Sequence, residues 1–229
     1  MEHLDKYKSF KINEADENKE ASKEDNPKRS ERVLNQAQKE WDGKQEEGIE
    51  KTENVPTMLF TDVVGSSKMW SDDPYNMSKQ LLHHHELVNK LSEKYNGWVV
   101  KTIGDAFMIY FESSENSLIN ALKFAKDLTK LEKKYQLRIG VCSGNMEARS
   151  YRLQKVDLKD FFGNAVNTAS RMESKVSDAK GVAFTSTKPI SKKLLSRVQK
   201  EVGKISKADL TKIDLRGVTV DAAYKMRFH

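Results

Sequence analysis

The chain holds a single cysteine, Cys142, among its 229 residues, which excludes an intrachain disulfide framework. That cysteine lies in an apolar run, Leu137 to Cys142, where a small buried thiol is the ordinary occupant. Long hydrophobic runs are also missing. None approaches the length of a membrane span, and the N-terminus has no apolar core of the signal-peptide kind. Neither end carries a lipidation signal. These absences set the expectation of a soluble, cytoplasmic protein in a reducing setting, with no membrane span. A strong excess of one charge is absent as well, since 40 Lys and Arg against 34 Asp and Glu give a formal net charge of +6. No dense basic run with interleaved aromatics occurs, so nucleic acid is not an expected partner.

What is present divides unevenly along the chain. Residues 1–54 are rich in Lys, Glu, Asp, Asn and Gln and show almost no apolar periodicity. Such a composition buries too little surface to offset ordering entropy, so this stretch reads as a mostly disordered tail. Within it, Ser30 would cap a short helix with Leu34, Ala37 and Trp41 on one face, ended by Gly43 and Gly48. We read that helix as transient in a solvated tail. Pro56 marks the boundary, and residues 55–229 read as one domain.

Beyond Pro56, strands alternate with helices. Thr57 to Val64 is a short run of strand formers. From about Asp73 to Tyr95, Met77, Leu81, Leu82, His85, Leu87, Val88 and Leu91 recur at helical spacing, and Asn96-Gly97 ends that helix. Trp98 to Thr102 and Phe107 to Phe111 predict a hairpin around Ile103-Gly104-Asp105-Ala106. Ser117 to Lys134 predicts a second helix with Leu118, Ala121, Leu122, Ala125, Leu128 and Leu131 inward. Leu137 to Cys142 predicts a strand, followed by a polar stretch from Asn145 to Lys159. Asn164 to about Val176 predicts a helix, Gly181 to Phe184 a strand, and Lys188 to Val198 a helix. Ala208 to Phe228 predicts two strands around Arg216-Gly217. The order β-α-β-β-α-β predicts an α+β, ferredoxin-like (split βαβ) domain with additional C-terminal strands and helices.

Two aspartates stand out against this pattern. Asp62 ends the apolar run Met58-Leu59-Phe60-Thr61-Asp62-Val63-Val64-Gly65, and Asp105 sits in the predicted hairpin turn. A bare carboxylate in such a segment is costly unless it is paired or bound to a cation. The predicted topology places both at one end of the sheet, where they would share a hard divalent cation, Mg²⁺ or Mn²⁺. Gly65 lets the chain turn closely after Asp62 and present backbone N–H groups to an anion. Farther on, Asn167 and Arg171 are four residues apart on one helix face, a pairing that suits ribose and phosphate. His83-His84-His85 is a different matter. Consecutive helix residues point in different directions and do not converge on one ion, so this triplet reads as a partly buried, partly solvated helix segment.

With these residues in place, the chain resembles a class III nucleotidyl cyclase catalytic domain, of the adenylate and guanylate cyclase family. The matching motifs are Phe60-Thr61-Asp62-Val63-Val64-Gly65, Lys101-Thr102-Ile103-Gly104-Asp105-Ala106-Phe107, Arg138-Ile139-Gly140-Val141, and Phe162-Gly163-Asn164-Ala165-Val166-Asn167-Thr168-Ala169-Ser170-Arg171-Met172. They follow in order and spacing over roughly residues 56–226, which is far more specific than any one of them.

The resemblance implies an adenylate cyclase that converts ATP to 3′,5′-cyclic AMP and pyrophosphate. By it, Asp62, Asp105 and the Val63 carbonyl hold two Mg²⁺ or Mn²⁺ per active site, and Val64, Gly65 and Ser66 face the triphosphate. It further implies that Asn167 orients the ribose and that Arg171 stabilises charge on the α-phosphate. By the same resemblance, the positions that read the base are Lys101 and Asp160. Lysine only donates and an ionised aspartate only accepts, which complements adenine, whereas guanylate-type members carry glutamate and cysteine there. The family arrangement also implies a head-to-tail homodimer with two shared sites. Departures are present: Ser66-Ser67 replaces the aromatic-Thr pair that often follows the glycine, and residues 145–159 lack the glycine-rich pattern usual at this place. Arg216 stands where the family tends to place a phosphate-binding lysine, and a guanidinium is not an equivalent donor. The alternatives are a guanylate or dual-specificity cyclase, and a catalytically idle cyclase-fold module that binds nucleotide or a partner.

Overall fold

The computed structural model describes residues 55–153, 156–177, 181–210, 215 and 217–228, with backbone alone at 153, 156 and 157. The chain divides into two units, Met1–Lys51 and Thr52–His229, and all the described residues belong to the second. The expectations for residues 1–54 and for Arg216 lie outside the described residues.

Strands β1 (Thr57–Val63), β2 (Gly97–Ile103), β3 (Ala106–Phe111) and β4 (Leu137–Ser143) form one half of a seven-stranded sheet of order β2-β3-β1-β4-β7-β9-β8. The first four are antiparallel in the order expected of a split βαβ arrangement. β7 (Gly181–Ser186) then pairs parallel to β4, and β9 (Tyr224–Arg227) and the short β8 (Ser206–Lys207) extend the sheet antiparallel. The predicted C-terminal pair is therefore present in altered form: its first strand lies earlier, at Ser206–Lys207.

Alternation along β1 settles the two faces. Leu59 and Val63 point into the main core with Phe107, Ile109, Phe111, Ile139 and Val141, covered by α2 (Pro74–Lys94) and α3 (Ser117–Leu131). Each such side chain contributes about 1.5–3 kcal/mol on burial. Met58, Met108 and Cys142 point to the opposite face, where Phe161, Ala165 and Ala169 cover them and Phe60, Val100, Tyr110, Met146 and Val166 remain half-buried. Burial pushes the Cys142 thiol up to about 12, which leaves it a packing residue.

Helix α2 starts cleanly. Asp73 accepts a hydrogen bond from Asn76 N, and Pro74 occupies the first helical position, where no N–H is needed. The inward face of α2 differs from the periodic reading by one step: His84 is fully buried, while Leu82 is 66% exposed. Its Nδ1 lies 2.7 Å from Glu132 Oε2, and this pair draws the helix toward the segment that precedes β4. At the end of α3, Leu131 is exposed rather than inward, since the helix stops there.

The polar stretch after β4 is ordered as a hairpin, β5 (Glu147–Leu153) and β6 (Val156–Phe162), which forms its own two-stranded sheet. Its sequence offered charges instead of clean alternation. The hairpin is docked through Phe161, which stacks on Tyr110 at 4.1 Å between ring centroids and meets Trp98 edge-on at 5.7 Å. The helix expected over 164–176 is α4 (Asn164–Arg171), continued by a π-helical turn, Met172–Val176. Gly140 in β4 explains the close fit of this turn. A Cβ there would come within 2.0 Å of Glu173 N and 2.2 Å of Ala169 O, so the helix backbone lies directly on the strand. Helix α5 (Lys192–Glu201) begins four residues later than the periodicity predicts, at the Ser191 cap, whose side chain accepts from Leu194 N.

Candidate active site

The end of β1 and the β2–β3 hairpin meet as the topology predicts. Gly104 and Asp105 form the two-residue loop between the paired Ile103 and Ala106. Gly104 adopts φ 65°, the left-handed conformation that glycine tolerates best. Asp105 Oδ2 accepts a 3.3 Å hydrogen bond from Val63 N, which ties the second aspartate to the residue after the first. Both carboxylates are half-buried. Val64 N donates to Gln136 O at 2.8 Å, fixing the chain as it leaves the strand. Gly65, at φ 76°, then turns it into α1 (Ser66–Asp72), whose first turn closes as Lys68 N and Met69 N donate to Gly65 O.

Asp62 is not bare. Its register partner across the β1–β4 ladder is Arg138, whose Nη2 donates to Asp62 Oδ2. Arg138 Nε lies 3.2 Å from Glu173 Oε1 on the other side, within ion-pair range but without hydrogen-bond alignment. Burial, with the Asp62 charge nearby, pushes the Glu173 carboxyl up to about 7 against the pull of Arg138. Arg138 is held firmly charged, chiefly by its hydrogen bond to Asp62. The sequence placed Arg138 inside a recognised motif and Glu173 directly after one, but gave neither a role. Alternation along β4 was the available signal for Arg138, because it shares a face with Gly140 and pairs with the end of β1.

The residues present fit a divalent cation. The donor set is two carboxylates and a main-chain carbonyl, all hard oxygen ligands, and a guanidinium already stands at Asp62 as a cation. Among the described residues, no group of three His, Cys, Asp or Glu converges as a self-contained metal cage. A site built here would take its remaining ligands from elsewhere, as phosphate-bound Mg²⁺ sites do.

Lys101 and Asp160 meet directly: Lys101 Nζ lies 2.5 Å from Asp160 Oδ2, and Phe161 N donates to Asp160 Oδ1 at 2.8 Å. Asp160 is buried on β6, whereas Lys101 is exposed on β2. A β-bulge brings them together. Val99 faces Ile109, yet Lys101 faces Met108, so Val100 is the extra residue and Lys101 falls on the face that carries Phe161.

Asn167 and Arg171 sit one turn apart on α4, as their spacing predicts. Asn167 is exposed; Arg171 is half-buried, with Nε buried and lacking a hydrogen-bond partner among the described residues. No hydrogen bond or ion pair among the described residues joins either of them to Asp62 or Asp105. The structure thus brings the predicted residues together in pairs: Asp62 through Val63 to Asp105, Lys101 to Asp160, and Asn167 beside Arg171.

The fold and the sequence both have relatives. Two solved structures align over three quarters of the chain. The guanylate cyclase domain of RhGC from Catenaria anguillulae, in complex with GTP, matches at 22% identity and a TM-score of 0.63, covering 75% of this chain and 95% of that one. The adenylyl cyclase CyaB from P. aeruginosa matches at 18% identity and a TM-score of 0.61, covering 75% and 93%. Among curated proteins, receptor-type adenylate cyclase B of Leishmania donovani is 33% identical over 104 residues, 45% of this chain and 7% of its own length. Guanylate cyclase 32E of Drosophila melanogaster is 32% identical over 136 residues, 52% of this chain and 11% of its own length. The chain therefore spans about a tenth of these curated relatives. Residues 48–219, well over half of the chain, match the family model of the adenylate and guanylate cyclase catalytic domain, and the protein belongs to that family.

Proposed function

We propose that this chain is an adenylate cyclase domain that converts ATP to 3′,5′-cyclic AMP and pyrophosphate. The observation that carries the choice of ATP is the Lys101–Asp160 pair, a donor and an acceptor held side by side at 2.5 Å. When adenine enters, Lys101 Nζ donates to the ring nitrogen N1 and Asp160 accepts from the amino group. Guanine presents the reverse pattern at that edge and leaves both groups mismatched.

Asp62, Asp105 and the Val63 carbonyl would hold two Mg²⁺ or Mn²⁺. Such ions, when bound, neutralise triphosphate charge and make the ribose 3′-hydroxyl easier to deprotonate. The chain's own groups do the rest. Asn167 orients the ribose so that its 3′-oxygen lies in line with the α-phosphorus. That oxygen forms the new P–O bond as it loses its proton, and the bond from the α-phosphorus to pyrophosphate breaks. Arg171 faces the α-phosphate and stabilises its developing charge, and the unpartnered Nε is consistent with a guanidinium awaiting an anion. Gly65 and Ser66 offer backbone N–H groups to the outer phosphates, Val64 lines the same turn with its own N–H held by Gln136 O, and Arg216 is assigned a further phosphate contact.

Two such sites would be shared across a head-to-tail homodimer. The half-buried Phe60, Val100, Tyr110, Met146 and Val166, with Trp98 at 42% and Phe162 at 47% exposed, give the face opposite the main core an apolar surface for a second copy. Among the described residues, no helix is long and apolar enough to cross a membrane, and a cytoplasmic location is part of the same reading.

The test is direct. Purified protein is incubated with Mn²⁺ or Mg²⁺ and each of the four nucleoside triphosphates, and the cyclic product is identified by mass. Cyclic AMP as the main product is expected. No product from a dimeric preparation would refute the enzyme and favour an idle module. A preference for GTP would refute only the base assignment and favour a guanylate cyclase.

A further inference from the structure

Arg138 stands between two carboxylates that use it unequally. Asp62 takes its Nη2, while Glu173 Oε1 sits 3.2 Å from Nε without an aligned hydrogen bond. Glu173 is the more buried of the two, with its side chain 12% exposed against 27% for Asp62. Its backbone cannot retreat, because the π-helical turn that carries it lies directly on Gly140, two residues along β4 from Arg138. The chain therefore holds a buried carboxylate close to a guanidinium that is engaged elsewhere. Burying a carboxylate without full compensation is costly, and such a group is retained where another arrangement satisfies it.

We propose that Glu173 is a positioning residue that receives Arg138 when a divalent cation takes Asp62. In the metal-free state Arg138 is the built-in cation of the site. A metal at Asp62 and Asp105 would displace the guanidinium, and Glu173 would supply the counter-charge that keeps it at the edge of the site. This inference rests on the metal reading above. It assigns Arg138 two successive partners and gives Glu173 an effect on metal affinity that acts through Arg138 alone.

Mn²⁺ binding to the full chain without nucleotide, followed by the loss of the free-ion electron paramagnetic resonance signal, tests it. Asp62→Asn identifies the site. Glu173→Gln removes the receiving charge, so Arg138 holds Asp62 more firmly and affinity should fall about 3- to 10-fold. Arg138→Gln removes the competing cation, and affinity should rise. In the Arg138→Gln background, Glu173→Gln should then change affinity by less than about 2-fold, because the two act as one unit. Glu173→Asp keeps the charge and should lie between the native protein and Glu173→Gln, which separates a charge effect from misfolding. Native affinity in Glu173→Gln, or an equal loss with and without Arg138, overturns the proposal while leaving the metal reading intact. Absence of any Asp62→Asn-sensitive Mn²⁺ binding refutes the metal reading and this inference with it.

Discussion

Lys101 and Asp160, 59 residues apart in sequence, form a 2.5 Å ion pair that joins the main sheet to the β5–β6 hairpin. The pair is complete before any base arrives. On the proposed reading, a purine would have to insert its own donor and acceptor between two groups that already satisfy one another, which would penalise a base with the wrong pattern.

Exchanging this pair for the guanylate-type residues should exchange the product. The double variant Lys101→Glu, Asp160→Cys is expected to lose about 10²-fold or more in cyclic AMP formation and to gain cyclic GMP formation. Product ratios measured by mass at equal ATP and GTP decide it, and an unchanged preference for ATP would remove the base-reading role. Lys101→Met alone should also destabilise the hairpin by about 1–3 kcal/mol, since Asp160 is left buried with one backbone donor.

Arg171→Ala should lower kcat by roughly 10²- to 10³-fold, the effect of removing one preorganised donor to transition-state charge. KM for ATP should move far less. A change confined to KM would assign Arg171 to ground-state binding. Asp105→Ala tests the metal clamp separately: turnover at saturating Mn²⁺ should fall below detection, and native turnover would refute the metal role.

Much of this arrangement was legible in the sequence, because strong local signals agreed with one another. The runs around Asp62 and Asp105, the β-α-β-β-α-β order and the Asn167–Arg171 spacing each survive in the structure. The illegible parts depend on long-range geometry. Strict alternation would place Lys101 on the face of Val99, away from Asp160; a bulge at Val100 reverses that, and no residue type announces it. The helical pattern from Asn164 onward continues smoothly through Glu173, yet the backbone switches to a π-helical turn where it meets Gly140. Periodicity could not choose His84 over His85 either, since the choice follows from Glu132, 48 residues away.

Among the described glycines, Gly140 is the one where an added methyl group, as in Gly140→Ala, would come closest to other atoms. The added carbon would meet backbone atoms at 2.0 and 2.2 Å, which no side-chain rotation relieves. A loss of about 1–3 kcal/mol or more is expected, read as a lower thermal midpoint. Activity should fall further than stability, because the displaced segment carries Arg171 and Glu173. A variant as stable as the native protein would show that the π-helical turn yields freely.

The His84–Glu132 pair predicts how stability depends on acid. Burial pushes the Glu132 carboxyl up, but hydrogen bonds from His84 and Lys134 N outweigh it and hold the group below its ordinary value. A depressed carboxylate stabilises the fold above its unfolded pKa of about 4.3 and loses that contribution as pH falls through the lower folded value. Glu132→Ala should cost about 1–3 kcal/mol near neutrality, because His84 Nδ1 is left buried without its hydrogen-bond partner. The gap between variant and native thermal midpoints should narrow below about pH 4. A gap constant from pH 7 to pH 3 would show that packing, not charge, accounts for the loss.

The hairpin that supplies Asp160 adds no strand to the seven-stranded sheet. On the proposed reading, base choice is thus split between two stretches of backbone, with Lys101 on β2 of that sheet and Asp160 on the hairpin. The main core can stay fixed while the hairpin is shortened, lengthened or recharged away from Phe161, which packs on the opposite layer. If the proposed base readers hold, a lineage carrying this domain could retune the hairpin's half of the reader without first having to find a new way to fold.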